Sequence, residues 1–204
     1  MDEPAIKGGA YQQAAEDLLA LVERGTVRRE TLEQALHPED LEVLESKPSP
    51  TDWVPIAGYA RIVELLLKVE GRGDRSYLRQ RGARAAERLF DSGVYAQLRH
   101  GAVIGELTEA GGKRVFKELD GRLMTSLSGA IFNFGAWSFR DTGECYEVDA
   151  RDVAPMPEVM RYAAEGFLEV MTSRTSLRQV TVTSQRVSKD RIVFRIPYPD
   201  GIGG

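Results

Sequence analysis

Apolar positions recur at helical spacing through the first two-thirds of the chain. Ala14, Leu18, Leu21 and Val22 form one stripe, which Gly25 ends. A short second helix begins at Thr26 or Thr31 and carries Leu32, Ala35 and Leu36. Pro38 interrupts it and takes the first position of another short helix reaching Leu44, where a missing N–H is tolerated. Tyr59, Ile62, Val63, Leu66 and Leu67 fall at i, i+3, i+4, i+7 and i+8, the pattern of a helix with one core-facing side. Gly71-Arg72-Gly73 stops that helix, and Asp74 can cap the next. There Leu78, Gly82, Ala85, Ala86, Leu89 and Phe90 share a face, while Arg75, Arg79, Arg81, Arg84 and Arg88 mostly point elsewhere. The small residues on that face would let another element approach closely. A third long helix is expected from about Gly112 to Asn133, with Phe116, Leu119, Leu123, Leu127, Ala130 and Phe134 along one side and Gly135 at its end. A shorter helix is expected between Val94 and Glu109.

The period then changes from 3.6 to 2. Trp137 and Phe139 alternate with Ser138 and Arg140; Asp141-Thr142-Gly143 supplies turn chemistry; Tyr146 and Val148 alternate with Cys145 and Glu147. This predicts a β-hairpin. Pro155 and Pro157 introduce a helix whose inner stripe reads Val159, Met160, Ala163, Phe167 and Met171, with Phe167 expected on the sheet near Trp137 and Phe194. Gly166 in mid-helix predicts a close neighbour at its backbone. A second hairpin closes the chain, with Val180 and Val182 as one inner row and Ile192, Phe194, Ile196 and Tyr198 as the other, joined through Ser188-Lys189-Asp190. Strands arriving as hairpins make an antiparallel sheet. The predicted class is α+β: N-terminal helices, then an antiparallel sheet of two hairpins packed against long helices.

Lys47-Pro48-Ser49-Pro50-Thr51-Asp52 divides residues 1–50, a helical extension packed on the main domain, from residues 51–200, an α+β domain of ligand-binding type. The first eight residues and the tail Gly201-Ile202-Gly203-Gly204 read as loose ends. With 204 residues, 42% hydrophobic and 28% charged, the chain is of ordinary globular composition. Lys plus Arg number 27 and Asp plus Glu 31, a net charge of −4, which argues against a protein that coats nucleic acid. The N-terminal Met1-Asp2-Glu3-Pro4 is acidic where a secretory signal is basic, and no run approaches the roughly 20 apolar residues of a membrane span. A cytoplasmic location is expected, and one cysteine excludes an intramolecular disulfide.

In the second half, Gly93-Val94-Tyr95 closes a small-residue helix and Phe134-Gly135-Ala136-Trp137 leads from a long helix into a hairpin. Met156-Pro157 and Ala164-Glu165-Gly166-Phe167-Leu168 on a helix precede the closing hairpin. Over roughly residues 25–198 this order resembles a family of unknown function expanded in myxobacteria. That family is a relative of the haem-NO-binding, 4-vinyl-reductase-like and TRAPP-type ligand-binding fold. The resemblance implies a sheet of four or five strands against helices, with an apolar pocket between them. It does not carry the relatives' cofactors. The haem-NO-binding Tyr-x-Ser-x-Arg motif is missing, and the closing hairpin, Val180 to Tyr198, lacks the cysteines of the 4-vinyl-reductase-like domains.

Candidate chemistry is sparse. His37, before Pro38, reads as a solvent-facing loop or cap residue. His100, in Arg99-His100-Gly101, stands about where a haem ligand would lie in the gas sensors, yet without a propionate clamp it reads as a surface or helix-end histidine. Cys145 sits between acidic neighbours, Glu144 and Glu147, the opposite of what a thiolate nucleophile needs, and reads as a half-buried strand residue. Gly111-Gly112-Lys113-Arg114 lacks the spacing and hydroxyl of a phosphate loop. Arg75, Arg79, Arg99, Lys113 and Arg114 could bind phosphate, but a solvated basic face accounts for them. No metal and no cofactor is expected, and no enzyme. The function expected is a sensor or regulatory domain that binds a small hydrophobic molecule or lipid. Its candidate pocket is lined by Leu66, Leu89, Phe90, Phe116, Leu123, Leu127, Phe132, Phe134, Trp137 and Phe167. The alternative is an interaction or scaffold module of the TRAPP-like kind, a homodimer or a dock for a protein partner, with a filled core.

Overall fold

The computed structural model describes residues 3–91, 128–176 and 179–198. The chain opens with strand β1 (Ala5–Lys7) and helix α1 (Gly8–Glu23), followed by α2 (Arg29–Ala35) and α3 (Pro38–Ser46). Strand β2 (Trp53–Pro55) leads into α4 (Ile56–Val69) and α5 (Ser76–Asp91). The second half holds β3 (Ala136–Asp141), β4 (Cys145–Arg151), α6 (Glu158–Ser176), β5 (Thr183–Ser188) and β6 (Arg191–Pro197). The protein is therefore α+β, with two antiparallel sheets.

The larger sheet has strand order β3-β4-β6-β5. Its two hairpins join through the central pair, in which Val148 stands opposite Phe194 and Ala150 opposite Ile192. Tyr146, Val148, Ala150, Ile192, Phe194 and Ile196 are buried and share one face, as alternation requires. That face and the buried sides of α1, α4, α5 and α6 belong to one hydrophobic core, which includes Leu18, Leu66, Leu78 and Leu168.

Several local expectations match the structure. Pro38 opens α3, and His37 is its exposed N-cap. The Asp74 carboxylate accepts the Ser76 N–H at 2.9 Å at the start of α5. Others are corrected. The first residues are not loose: Ala5 and Ile6 are buried, and β1 pairs antiparallel with β2. Three residues are too few to show a period in sequence, so only the partner strand reveals them. Val180 and Val182 do face inward, Val182 fully buried and Val180 packed against the core, but they precede β5, whose own half-buried positions are Ser184 and Arg186. Ala85 is exposed, although Gly82 and Ala86 beside it are buried. Phe167 is only half-buried, while Leu168 and Met171 are buried. Arg81 is buried and Arg79 half-buried, so the arginine face of α5 is not uniformly solvated. Of the long helix expected at 112–133, residues 128–133 are described, and 128–131 of these are helical while 132 and 133 are not; the short helix expected at 94–109 lies outside the described residues.

Helices α5 and α6 meet backbone to backbone. A Cβ on Gly82 would stand 1.7 Å from the Ala163 carbonyl oxygen, and one on Gly166 would stand 1.9 Å from that of Arg79. The neighbour anticipated at Gly166 is therefore a helix.

Candidate functional site

The residues just before β3 are delivered to β1. Phe132 forms an isolated antiparallel bridge with Ile6. The Ala5 N–H donates to Asn133 Oδ1 at 2.7 Å, and Asn133 Nδ2 donates to the Glu3 carbonyl at 2.9 Å. Held in this way, Phe132 stacks on Trp137 with centroids 6.0 Å apart and packs on Phe134 at 5.5 Å. Trp137 in turn stacks on Phe194 of β6 at 6.2 Å. The result is a continuous aromatic surface from the helical half to the centre of the sheet. Its single polar atom with no match is Trp137 Nε1, which is buried and has no hydrogen-bond acceptor among the described residues. An unpaired buried N–H costs about 1–3 kcal/mol.

Of the residues expected to line a pocket, Phe132, Phe134 and Trp137 form this cluster. Leu66 of α4 and Phe90 of α5 are buried in the common core. Leu89 is half-buried on α5, and Phe167 is a half-buried residue of α6 packed against the core. Phe116, Leu123 and Leu127 lie outside the described residues. Ile6 and Phe194 were not among the expected lining. Phe194 was legible as an inward strand residue, but its contact with Trp137 depends on the β4–β6 pairing. Ile6 gave no signal, because its strand is so short.

A second assembly joins α5, α6 and the start of β5. Arg79 donates to both Glu165 and Glu169 and to the Val182 carbonyl. Glu165, which is buried, also accepts the Ser184 hydroxyl at 2.6 Å, and Arg161 donates to that hydroxyl oxygen at 2.7 Å. Arg161 and Arg186 both pair with Glu158. Positions 161, 165 and 169 are four apart, so one stripe of α6 faces the edge strand with charge. Every charged member has an opposite partner, so the seam clamps helix to strand. Elsewhere, Asp40 of α3 takes two hydrogen bonds from Arg61 of α4, at 2.6 and 2.8 Å, and one from the His37 N–H.

Among the described residues there is no group of three or more His, Cys, Asp or Glu that could hold a metal ion. His37 has a side chain 59% exposed and lies beside Glu39. Cys145 is half-buried at the start of β4, as expected, and alternation puts it on the sheet face opposite Tyr146. His100 lies outside the described residues. No described helix is long and apolar enough to cross a membrane.

No protein-family model matches the sequence, and no curated protein matches it. Solved structures do match in fold. A mutant of T. Tengcongensis H-NOX superposes with a TM-score of 0.56 at 14% identity, over 97% of this chain and 100% of that one. The Fe(II) unliganded H-NOX protein from K. algicida superposes at 0.53 and 11% identity, over 97% and 98%. A structure from a study of heme distortion in the H-NOX family gives 0.55 and 14%, over 96% of both. With TM-scores above 0.5 and the likeness spanning nearly the whole of both chains, this protein has the H-NOX fold.

Proposed function

We propose that this chain is a non-enzymatic sensor domain of the cytoplasm that takes a small hydrophobic molecule between its helices and its sheet. The contact surface is the cluster of Phe132, Phe134, Trp137 and Phe194, with Leu66, Leu89, Phe90 and Phe167 as the helical side of the lining; the candidates Phe116, Leu123 and Leu127 lie outside the described residues. The observation that carries this reading is the orphaned Trp137 Nε1 inside an otherwise apolar surface. A ligand with an apolar body and one hydrogen-bond acceptor would satisfy it. The H-NOX fold supports a ligand-binding role, and the similar structures concern heme and Fe(II) forms. The case against haem is the sequence's lack of the Tyr-x-Ser-x-Arg propionate clamp; the one candidate axial ligand, His100, lies outside the described residues. The ligand in this reading is metal-free, and the chain belongs with the myxobacterial relatives of the haem-NO-binding group.

The second reading is a homodimerising or docking scaffold with a filled core. It draws on the α5–α6 contact, where backbones touch and no space for a ligand remains.

The Trp53→Phe variant leaves Trp137 as the only tryptophan. Its emission is followed during titration with oleate, with 1-anilinonaphthalene-8-sulfonate and with hemin. Saturable quenching or blue-shift by oleate or the naphthalene dye, abolished in Phe132→Ala, supports the sensor. Indifference to both, with a monodisperse dimer in sedimentation, supports the scaffold. A stoichiometric Soret band with hemin, lost in His100→Ala, would overturn the metal-free reading.

A further inference from the structure

The sheet face away from the core is built on carboxylates. Glu147 and Asp149 of the central strand β4 point there, with side chains only 8% and 3% exposed. Four arginines cover them. Arg140 of β3 and Arg195 of β6 stand directly opposite Glu147 on its two sides, and both donate to it. Arg151 donates to Asp149 Oδ2 at 3.2 Å, and Arg191 of β6 donates to both of its oxygens at 2.8 and 3.0 Å. Val193 lies between these rows and is buried without belonging to the main core.

The stoichiometry is not that of a surface built for stability alone. One arginine per carboxylate would neutralise each buried acid, whereas here each has two. The patch therefore carries two net positive charges. Moreover, Arg151 and Arg191 are direct cross-strand partners, an arrangement that ordinarily destabilises a sheet. The guanidinium groups remain accessible: the side chains of Arg140, Arg195, Arg151 and Arg191 are 54%, 54%, 62% and 36% exposed. Each spends only part of its five N–H donors inward. The buried carboxylates fix the orientation of the four forks in advance, so an incoming anion meets arranged donors and not mobile side chains.

We propose that this face docks a short acidic segment of a protein partner, whose carboxylates take the outward N–H groups of Arg140, Arg195, Arg151 and Arg191. Strand spacing sets the size of the patch. Two strand intervals and four residues make it roughly 10 by 13 Å, suited to a few side chains of an extended peptide. Nucleic acid fits less well. Duplex binders commonly neutralise about 6–10 phosphates, against two net charges here, and the chain as a whole carries −4. The proposal is independent of whether the aromatic cluster holds a ligand.

The test uses a fluorescein-labelled synthetic 12-residue peptide alternating Glu and Asp with Ser, titrated with the full chain at low ionic strength. Binding should appear as a rise in anisotropy, weaken with salt, and shift amide resonances of β4 and β6 in the wild type. Arg140→Gln and Arg151→Gln each leave the buried acid one arginine, so both variants should stay folded. Each should weaken binding about tenfold, the loss of one charge-assisted contact. No binding at about millimolar protein, shifts confined to other elements, or full affinity in the folded Arg140→Gln/Arg151→Gln double variant would overturn the proposal. So would tighter binding of a single-stranded 12-nucleotide DNA, or of phosphatidylglycerol vesicles, than of the peptide.

Discussion

The carbonyl oxygen of Arg79 lies 1.9 Å from the place a Cβ on Gly166 would occupy. The contact is with backbone, which cannot swing aside as a flexible side chain would. Any larger residue at 166 must push α5 and α6 apart. Gly166→Leu should therefore destabilise by at least the about 1–3 kcal/mol of ordinary overpacking. A urea melt would show a lower midpoint. An unchanged midpoint would mean that the two helices do not touch there.

Arg79 also holds the ionic seam together. It is bonded to Glu165 and Glu169, and Glu165 is only 5% exposed. Arg79→Met leaves that buried acid with the Ser184 hydroxyl and a distant Arg161. Breaking one partner of such a pair costs about 3–5 kcal/mol. Arg79→Met/Glu165→Met should recover part of the loss, and thermal melts of the single and double variants would show whether the two side chains are coupled.

Acid should weaken the fold. Burial would raise the carboxyls of Asp40, Glu147 and Asp149, but their arginine partners outweigh it and hold all three below the usual carboxylate range. A depressed folded value means that the unfolded chain takes up protons first as pH falls. The stabilisation is thus complete above the unfolded values near 4 and is lost below them. Urea midpoints should be level near neutrality and fall through pH 4. Asp40→Asn should flatten part of that descent.

Tyr11 gives the opposite slope. Burial, with the nearby Asp40 charge, pushes its hydroxyl up to about 12 from 10. The stabilisation is complete below pH 10 and disappears as pH rises toward 12. Its hydroxyl has no partner among the described residues. Tyr11→Phe should then be neutral or stabilising at pH 7 and should remove the alkaline loss, as denaturation monitored by circular dichroism would show.

Ile6 is 1% exposed, in a strand of three residues. Ile6→Ala should cost about 2–5 kcal/mol, and removal of residues 1–7 should cost at least as much. A truncated protein as stable as the full chain would show that β1 is dispensable. On α6, Leu168→Ala should cost more than Phe167→Ala, since Leu168 is buried and Phe167 half-buried.

Among the described residues, periodicity alone was enough to identify the helices α1 to α6, the two hairpins and the α+β class. Side-chain spacing of 3.6 or 2 follows directly from backbone geometry and needs no partner to be seen. Gly166 announced a close neighbour for the same local reason, because a glycine in mid-helix sacrifices stability. What the tertiary structure decided are the relations between distant segments. It placed Ile6 on Phe132, and it chose α5 as the neighbour of Gly166. It also turned Arg79 and Arg81 from an apparent solvated face into groups paired with Glu165 and Asp17, and it buried Glu147 and Asp149 beneath arginines of the neighbouring strands. A charge has no period that tells whether it faces water or an opposite charge. That depends on which strand or helix lies across from it, and pairing across long separations is settled only when the chain folds.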